Sequence, residues 1–453
     1  MSSTIHFHGG AGAVTGANFL LDTGGTKILI DCGLSQGRHN AEGDNWEKFA
    51  YDPADIPVLV ITHAHVDHIG RVPKLVKEGF RGRIISTEAT KALVEPLLLD
   101  SMELLAHDGQ KHGRGPLYDE DDISQAMKLW HGIPYHKTVE LEDGISLQLL
   151  DAGHILGSAM AEFSRGGKTI VFTGDLGGGN SPLLAPHDPL SNADYLVMES
   201  VYGDRVRETD ANRREELENV IEDAAARGGT LLIPAFSTER TQDLLYEVRS
   251  LMTEKRILSM PVYLDSPLAT KITNAYLAHP EYFAPEMRDR AKGGENIFTF
   301  PELKFVEDAE ESRKITHKPG PKIIIAGSGM SSGGRVHGHE QVLLADPTST
   351  LLIVGYQAAG SLGRRLLEGD KNIILKGQQI KVKAKVEAIY GYSAHMDGEQ
   401  LLEFVNQGKD SLKQVFVVMG EPIASNFLVQ RIRDYLSVKA TAPTTGDKAE
   451  IDL

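Results

Sequence analysis

Short apolar runs recur through the first part of the chain, and several end in a side chain capable of chemistry. Val58-Leu59-Val60-Ile61 is uninterrupted and rich in β-branched residues, which predicts a buried strand. It leads into His63-Ala64-His65-Val66-Asp67-His68, and the spacing of Ile69, Val72, Leu75 and Val76 predicts a helix directly after. Ile28-Leu29-Ile30 delivers Asp31 in the same way. A strand through Leu149-Leu150 is followed by His154, Thr169-Ile170-Val171-Phe172 by Asp175, and Tyr195-Leu196-Val197-Met198 by Glu199. The carboxyl ends of strands are where sites assemble in α/β sheets.

Helical spacing predicts long helices over residues 88–106, 119–130 and 210–227, the last with Leu217, Val220, Ile221 and Ala224 on one face. From there strands and helices alternate. Thr230–Pro234, Pro261–Leu264, Lys322–Ala326 and Thr350–Val354 read as buried strands of a doubly wound second domain. The expected division is a first segment over 1–206, an inserted domain over 207–369 and a returning segment over 370–453.

Composition narrows the class. With 453 residues, 41% hydrophobic and 24% charged, the chain reads as a soluble α/β protein of at least two domains. No run is long enough to span a membrane and no signal-peptide pattern opens the chain, so no membrane partner and a cytoplasmic location are expected. One cysteine, Cys32, excludes an internal disulfide framework and fits a reducing compartment. A net charge of −16 argues against coating nucleic acid by bulk attraction, so a polyanionic substrate would need a local basic path and metal ions.

Three imidazoles and a carboxylate within six residues make a poor core and a good metal cradle. His63, His65 and His154 would give one zinc three nitrogens. Asp67, His68 and a distant histidine would serve a second zinc, with Asp175 bridging the two. Asp31 would either accept the free N–H of a ligating imidazole or cap a turn. In the later half, Ser328-Gly329-Met330-Ser331-Ser332-Gly333-Gly334-Arg335 follows a strand and precedes a helical pattern. It is either a phosphate-receiving loop or a plain tight turn. Gly360-Ser361-Leu362-Gly363-Arg364-Arg365 has the same character with more charge. Arg240 would contact phosphate or pair with Glu239 or Asp243. Lys381, Lys383 and Lys385 alternate along a predicted strand as a basic track or a solvated face. Aromatic content of 6% limits base stacking to a few residues such as Tyr202 and Tyr356.

Asp31, the His63–His68 run, His154 and Asp175 fall in the order of the metallo-β-lactamase superfamily motifs, which the chain resembles. MESVYGDR (198–205), IPAFSTERTQ (233–242), LDSPLA (264–269), AGSGMSSGGR (326–335), VGYQAAGSLGRRLLEG (354–369) and GYSAHMD (391–397) resemble its β-CASP branch of RNA-processing nucleases, prokaryotic members most closely. The resemblance implies an αββα sandwich with a doubly wound β-CASP domain inserted as a lid, two Zn²⁺ ions, and hydrolysis of single-stranded RNA. It implies His395 as the distant ligand of the second zinc and Asp31 as the carboxylate behind the ligands. It also implies Glu199 as an acid paired with a proton-donating histidine, beside Asp67 at the reaction centre.

The chain departs from the family in two places. Arg364-Arg365 stands where the eukaryotic relative has the proton-donating histidine, leaving His339 as the nearest substitute and His337 next. Met419-Gly420-Glu421 replaces the usual His-Gly-Glu. A homodimer through the lid or the tail is a further expectation. Two other functions compete. One is a small-molecule thioester or lactone hydrolase on the same sandwich, for which so large an inserted domain is unnecessary. The other is a catalytically idle RNA-binding subunit, from which loss of ligands is expected, whereas all seven positions are filled.

Overall fold

The structure, a computed structural model, describes residues 2–37, 43–206, 212–355, 357 and 360–453. Tyr356, one of the two stacking candidates, and Asp210, the predicted start of the charged helix, lie outside the described residues. The chain forms two compact units. The first comprises Met1–Gly179, Leu184–Val206 and Ala394–Leu453; the second comprises Asn180–Leu183 and Arg207–Ser393.

The first unit is built on two seven-stranded sheets. One runs Lys448–Asp452, Ser2–Gly9, Asn18–Asp22, Lys27–Ile30, Val58–Val60, Arg83–Ser86, Trp130–Gly132. The other runs Ala440–Thr441, Gln414–Val417, Tyr195–Met198, Lys168–Phe172, Ala159–Arg165, Ser146–Asp151, Val139–Glu140. Alternation along each strand sends one set of side chains into the space between the sheets. Phe7, Phe19, Ile28 and Val58 from the first sheet meet Leu147, Phe163, Phe172 and Phe416 from the second in one buried cluster. The opposite face of the second sheet, through Met160, Val171, Leu196 and Val415, packs against Leu401 and Phe404 of helix Gly398–Gly408 and Leu428 and Ile432 of helix Pro422–Leu436. This is the expected αββα sandwich.

The second unit carries a six-stranded sheet ordered Leu303–Phe305, Val262–Asp265, Lys322–Ala326, Thr230–Pro234, Thr350–Val354, Lys385–Ile389, parallel throughout. Its four inner strands are buried on both sides, which is why they read as unbroken apolar runs. The inserted unit is longer than expected. Lys385–Ile389 pairs with Thr350–Val354 instead of returning to the sandwich, so the crossing back falls at Ala394 and not at residue 370. The same pairing removes the single basic strand. Lys381 ends a hairpin strand, Gln378–Lys381 against Asn372–Leu375, while Lys385 lies on another strand with its ammonium on Asp223 and Glu387.

Candidate metal centre

Most ligand candidates follow a strand of the sandwich, whereas His395 comes after strand Lys385–Ile389 of the inserted unit's sheet. Strand Lys27–Ile30 ends at Asp31 in a left-handed conformation, φ 58°. Its carboxylate takes the Thr62 backbone N–H at 2.8 Å on Oδ1, and the Thr62 hydroxyl at 2.8 Å and His68 Nδ1 at 2.7 Å on Oδ2. Of the two readings of Asp31, the geometry gives the imidazole-orienting one. With Nδ1 held, Nε2 of His68 faces Asp175 Oδ1 at 3.3 Å and Asp67 Oδ2 at 3.9 Å.

Two glycines let the loops close on one another. A Cβ on Gly33 would sit 1.5 Å from the Asp67 carbonyl oxygen, so only glycine admits the His63–His68 loop there. A Cβ on Gly177 would meet the Gly153 carbonyl at 1.8 Å, where the Asp175 loop backs onto the His154 loop. Gly177 also bridges His395, and the N–H of Met396 bonds the Leu176 carbonyl at 2.9 Å. Segments more than two hundred residues apart are stitched by backbone before any side chain is counted.

The result is a converging set. His63 Nε2 and His154 Nε2 lie 3.0 and 3.2 Å from His65 Nδ1, and 3.5 and 3.6 Å from Asp175 Oδ2. His63, His65, His154 and Asp175 can each offer one ligand atom within 4.8 Å of all the others, and so can Asp175, Glu199 and His395. The membership of the second set differs from expectation, since it includes Glu199 and lacks Asp67 and His68. Glu199 lies against His395, whose Nδ1 sits 3.0 and 3.2 Å from its two oxygens, while it also accepts the Leu176 N–H at 2.6 Å. Glu199 is fully buried, and the histidine it pairs with and holds in place is His395.

Charge follows the same plan. Burial and the surrounding imidazoles lower the pKa of His63 and His154 well below normal, favouring the neutral, ligating form. Burial opposes charge on His68, but Asp175 and Asp31 outweigh it and raise its pKa. His395 is likewise pushed up to about 9, against burial, by Glu199, Asp175 and Asp67. Asp67 is pushed up to about 6 by burial. His68 Nε2 and Asp175 Oδ1 are buried without a hydrogen-bond partner. A buried donor–acceptor set left open at its centre is costly in a dry fold and is what a divalent cation satisfies.

The other candidates are dispersed over the second unit. His339 is 1% exposed, with Nδ1 2.6 Å from Thr316 Oγ1 and Nε2 2.6 Å from Asp265 Oδ2. Both ring nitrogens are spent inside the core, so His339 is not placed to protonate a leaving group. His337 Nε2 bonds the Ser331 carbonyl at 2.8 Å. Arg335 fastens its guanidinium to Asp265 Oδ1 at 2.6 Å and to the Val306 and Glu307 carbonyls, which makes it a loop anchor and not a free phosphate contact. Ser328 bonds Ser332 within the loop, Gly329 presses against Phe236 and its carbonyl accepts a hydrogen bond from Gln357 Nε2, Gly333 is open, and Gly334 takes φ +73°. Arg364 and Arg365 are half exposed and paired with Glu368 and Asp370. Arg240 is 7% exposed, 3.4 Å from Glu239, with Nε and Nη1 unpartnered. Tyr202 sets its ring edge on His395 at 5.9 Å. Thr62 escaped notice in the sequence. A hydroxyl wedged between a buried strand and the histidine run was the only signal.

The sandwich segment matches the metallo-β-lactamase superfamily over residues 11–206, the inserted unit matches the β-CASP domain over 241–366, and residues 379–443 match the Zn-dependent metallo-hydrolase RNA specificity domain. The chain is 34% identical to ribonuclease TTHA0252 of Thermus thermophilus, covering 91% of this chain and 92% of that one. This is a β-CASP metallo-β-lactamase. It is also 32% identical to transcription termination factor FttA of Methanosarcina mazei, over 96% of this chain and 70% of that protein. A crystal structure of a protein of unknown function from Enterococcus faecalis shares the fold at a TM-score of 0.58, with 12% identity and complete coverage of both chains. As in its family, this β-CASP protein is a metal-dependent hydrolase, and its His and Asp clusters are suited to divalent ions.

Because Asp31 fixes the ring of His68, Asp31→Asn is expected to weaken metal binding about 10- to 100-fold, the usual cost of losing a group behind a ligating histidine. Competition against a chromophoric chelator measures it.

Proposed function

We propose that this chain is a zinc-dependent ribonuclease hydrolysing phosphodiester bonds of single-stranded RNA, acting in RNA processing or decay in the cytoplasm. The observation that carries the reading is the convergence of His63, His65, His154 and Asp175 beside the unpartnered Nε2 of His68. The first four would hold one Zn²⁺; Asp67, His68, Asp175 and His395 would hold the other. Bound there, the two ions supply an activated water and neutralise charge at the reacting phosphorus. The chain's own residues set the stage. Asp31 and Thr62 fix the His68 ring, Glu199 fixes the tautomer of His395, and the buried rings of His63 and His154 stay neutral. RNA phosphates would be received by the backbone of 328–334, by Arg240 and by the half-exposed Arg364 and Arg365. The similarity to named RNA-acting proteins over nearly the whole chain favours RNA over a small thioester or lactone.

The test is cleavage of end-labelled single-stranded RNA, with an aryl thioester and a homoserine lactone in parallel. RNA is expected to be shortened by the zinc-loaded protein, spared after chelation and shortened again on re-addition of zinc. Turnover of the thioester or lactone with intact RNA would contradict the reading. The product ladder separates internal from terminal cutting.

A further inference from the structure

The inserted unit carries a hairpin that has no part in its parallel sheet. Strands Asn372–Leu375 and Gln378–Lys381 run antiparallel and pair with no other strand among the described residues. The turn between them is tight, with Lys376 and Gly377 both left-handed at φ 48° and 77°, so Lys376 stands at the tip. Alternation puts Ile373, Leu375, Ile380 and Val382 into the core of the inserted unit, which fixes the hairpin as a platform. The opposite face is exposed and carries Asn372, Ile374, Gln379, Lys381 and Lys383. Residues 371–383 hold four lysines and no carboxylate, in a chain whose net charge is −16. Among the described residues Lys371, Lys376, Lys381 and Lys383 make no ion pair, whereas Arg364, Arg365 and Lys385 beside them are each tied to a carboxylate.

Lysines on a lone hairpin can serve simply to keep its edges from pairing with other chains. That purpose is at odds with Ile374, which stands 73% exposed in the middle of the same face and invites the contact the lysines would prevent. Nor is the composition that of a protein-docking patch. Lysine is depleted and aromatic residues are enriched at the centres of such interfaces, and residues 371–383 contain no aromatic. Unpaired ammonium groups, side-chain amides and one apolar surface are what a phosphate backbone with a base laid beside it would meet. The run from Lys376 at the tip to Lys383 is about 20 Å long, enough for several nucleotides of extended chain. A local basic path is also what a chain of this net charge needs to hold a polyanion. Taking RNA as the partner rests on the ribonuclease reading above. We propose that the hairpin and its flanks are a non-catalytic surface for single-stranded RNA, on which Lys371, Lys376, Lys381 and Lys383 contact phosphates and Ile374 contacts a base.

The test is the salt dependence of binding, read by fluorescence anisotropy of a labelled oligouridylate of about 30 nucleotides from about 50 to 200 mM salt. The full chain carries His63→Ala and His65→Ala throughout, which keeps the RNA whole. Each lysine withdrawn from a phosphate of single-stranded RNA flattens the slope of log affinity against log salt by about 0.7. Replacing all four lysines with glutamine is therefore expected to flatten it by about 3 and to weaken binding at least about tenfold at the lowest salt. The thermal melt should not move, since these side chains are exposed. Ile374→Ser is expected to weaken binding several-fold at an unchanged slope, and binding equal to the parent would remove the base contact. Glutamine at the exposed Lys128, Lys137, Lys255 and Lys409 is the control. A hairpin variant with the parent slope, or a control variant flattened as much, would overturn the proposal, the second outcome leaving bulk attraction alone. So would loss of poly-glutamate binding with RNA affinity retained, which would make the face a contact for an acidic protein. Hairpin lysines that hold RNA in a zinc-loaded wild type that cuts none would sink the ribonuclease reading and leave this surface standing. Cleavage with an unchanged slope would do the reverse.

Discussion

A chain carrying His63→Ala and His65→Ala is expected to lose RNA cleavage by at least about a hundredfold, since loss of even one outer hydrogen-bond partner of a metal ligand reaches that size. The two substitutions remove half of the four-residue set and leave His154 and Asp175 facing an emptied corner. Neither residue carries the sandwich. The two sheets are held together by Phe7, Phe19, Phe163, Phe172 and their neighbours, and Asp31 still bonds Thr62 and His68 in the double variant. The far-ultraviolet spectrum should therefore match wild type while bound zinc falls. Cleavage within tenfold of wild type, with zinc removed, would break the link between this cluster and the chemistry.

The second large effect is on stability and lies in the inserted unit. Arg213 is 9% exposed and gives Nε and Nη2 to Glu247 Oε1 at 3.1 and 2.8 Å, with its guanidinium 4.9 Å from the Tyr392 ring. Glu247 Oε2 accepts the hydroxyl of the fully buried Tyr392, and Arg213 Nη1 reaches the Gly391 carbonyl. The first helix of the unit, the helix Arg240–Thr253 and the segment just before the crossing at Ala394 are tied into one buried charge network. Removing one partner strands the other charge in a dry site, which costs about 3–5 kcal/mol. Arg213→Met should therefore lower the unfolding free energy of the inserted unit, read from urea titration, by that much, and Glu247→Gln with Arg213→Met should recover part of it. A change under about 1 kcal/mol for the single variant would be the size of a surface pair and would contradict the buried-network account.

Much of the centre was legible in the sequence, because strands ending in histidine or carboxylate declare both their burial and their chemistry. His63, His65, His154 and Asp175 could be grouped on residue type and position alone, and His395 through its motif. What could not be read were roles set by distant partners. Glu199 was expected to pair with a histidine, but nothing local shows that the partner is His395, 196 residues later. His339 looked available because Asp265 and Thr316, which occupy both its nitrogens, come from other elements of the inserted unit. Arg335 misled in the same manner. The end of the inserted unit was misplaced for a topological reason, since a short polar strand at a sheet edge has little of the apolar run that marked the central strands.

The most direct measurement is calorimetric loading of the metal-free chain with zinc in two buffers of different ionisation enthalpy. The arrangement predicts about two ions per chain, as in two-metal hydrolases. It also predicts proton release at pH 8. His395, at about 9, and His68, raised further by Asp175 and Asp31, are charged there, whereas a ligating imidazole is neutral. Release should shrink as pH rises through 9 and the His395 proton leaves beforehand. Binding of one ion or fewer, or binding with no buffer dependence at pH 8, would contradict a metal pair held by His63, His65, Asp67, His68, His154, Asp175 and His395.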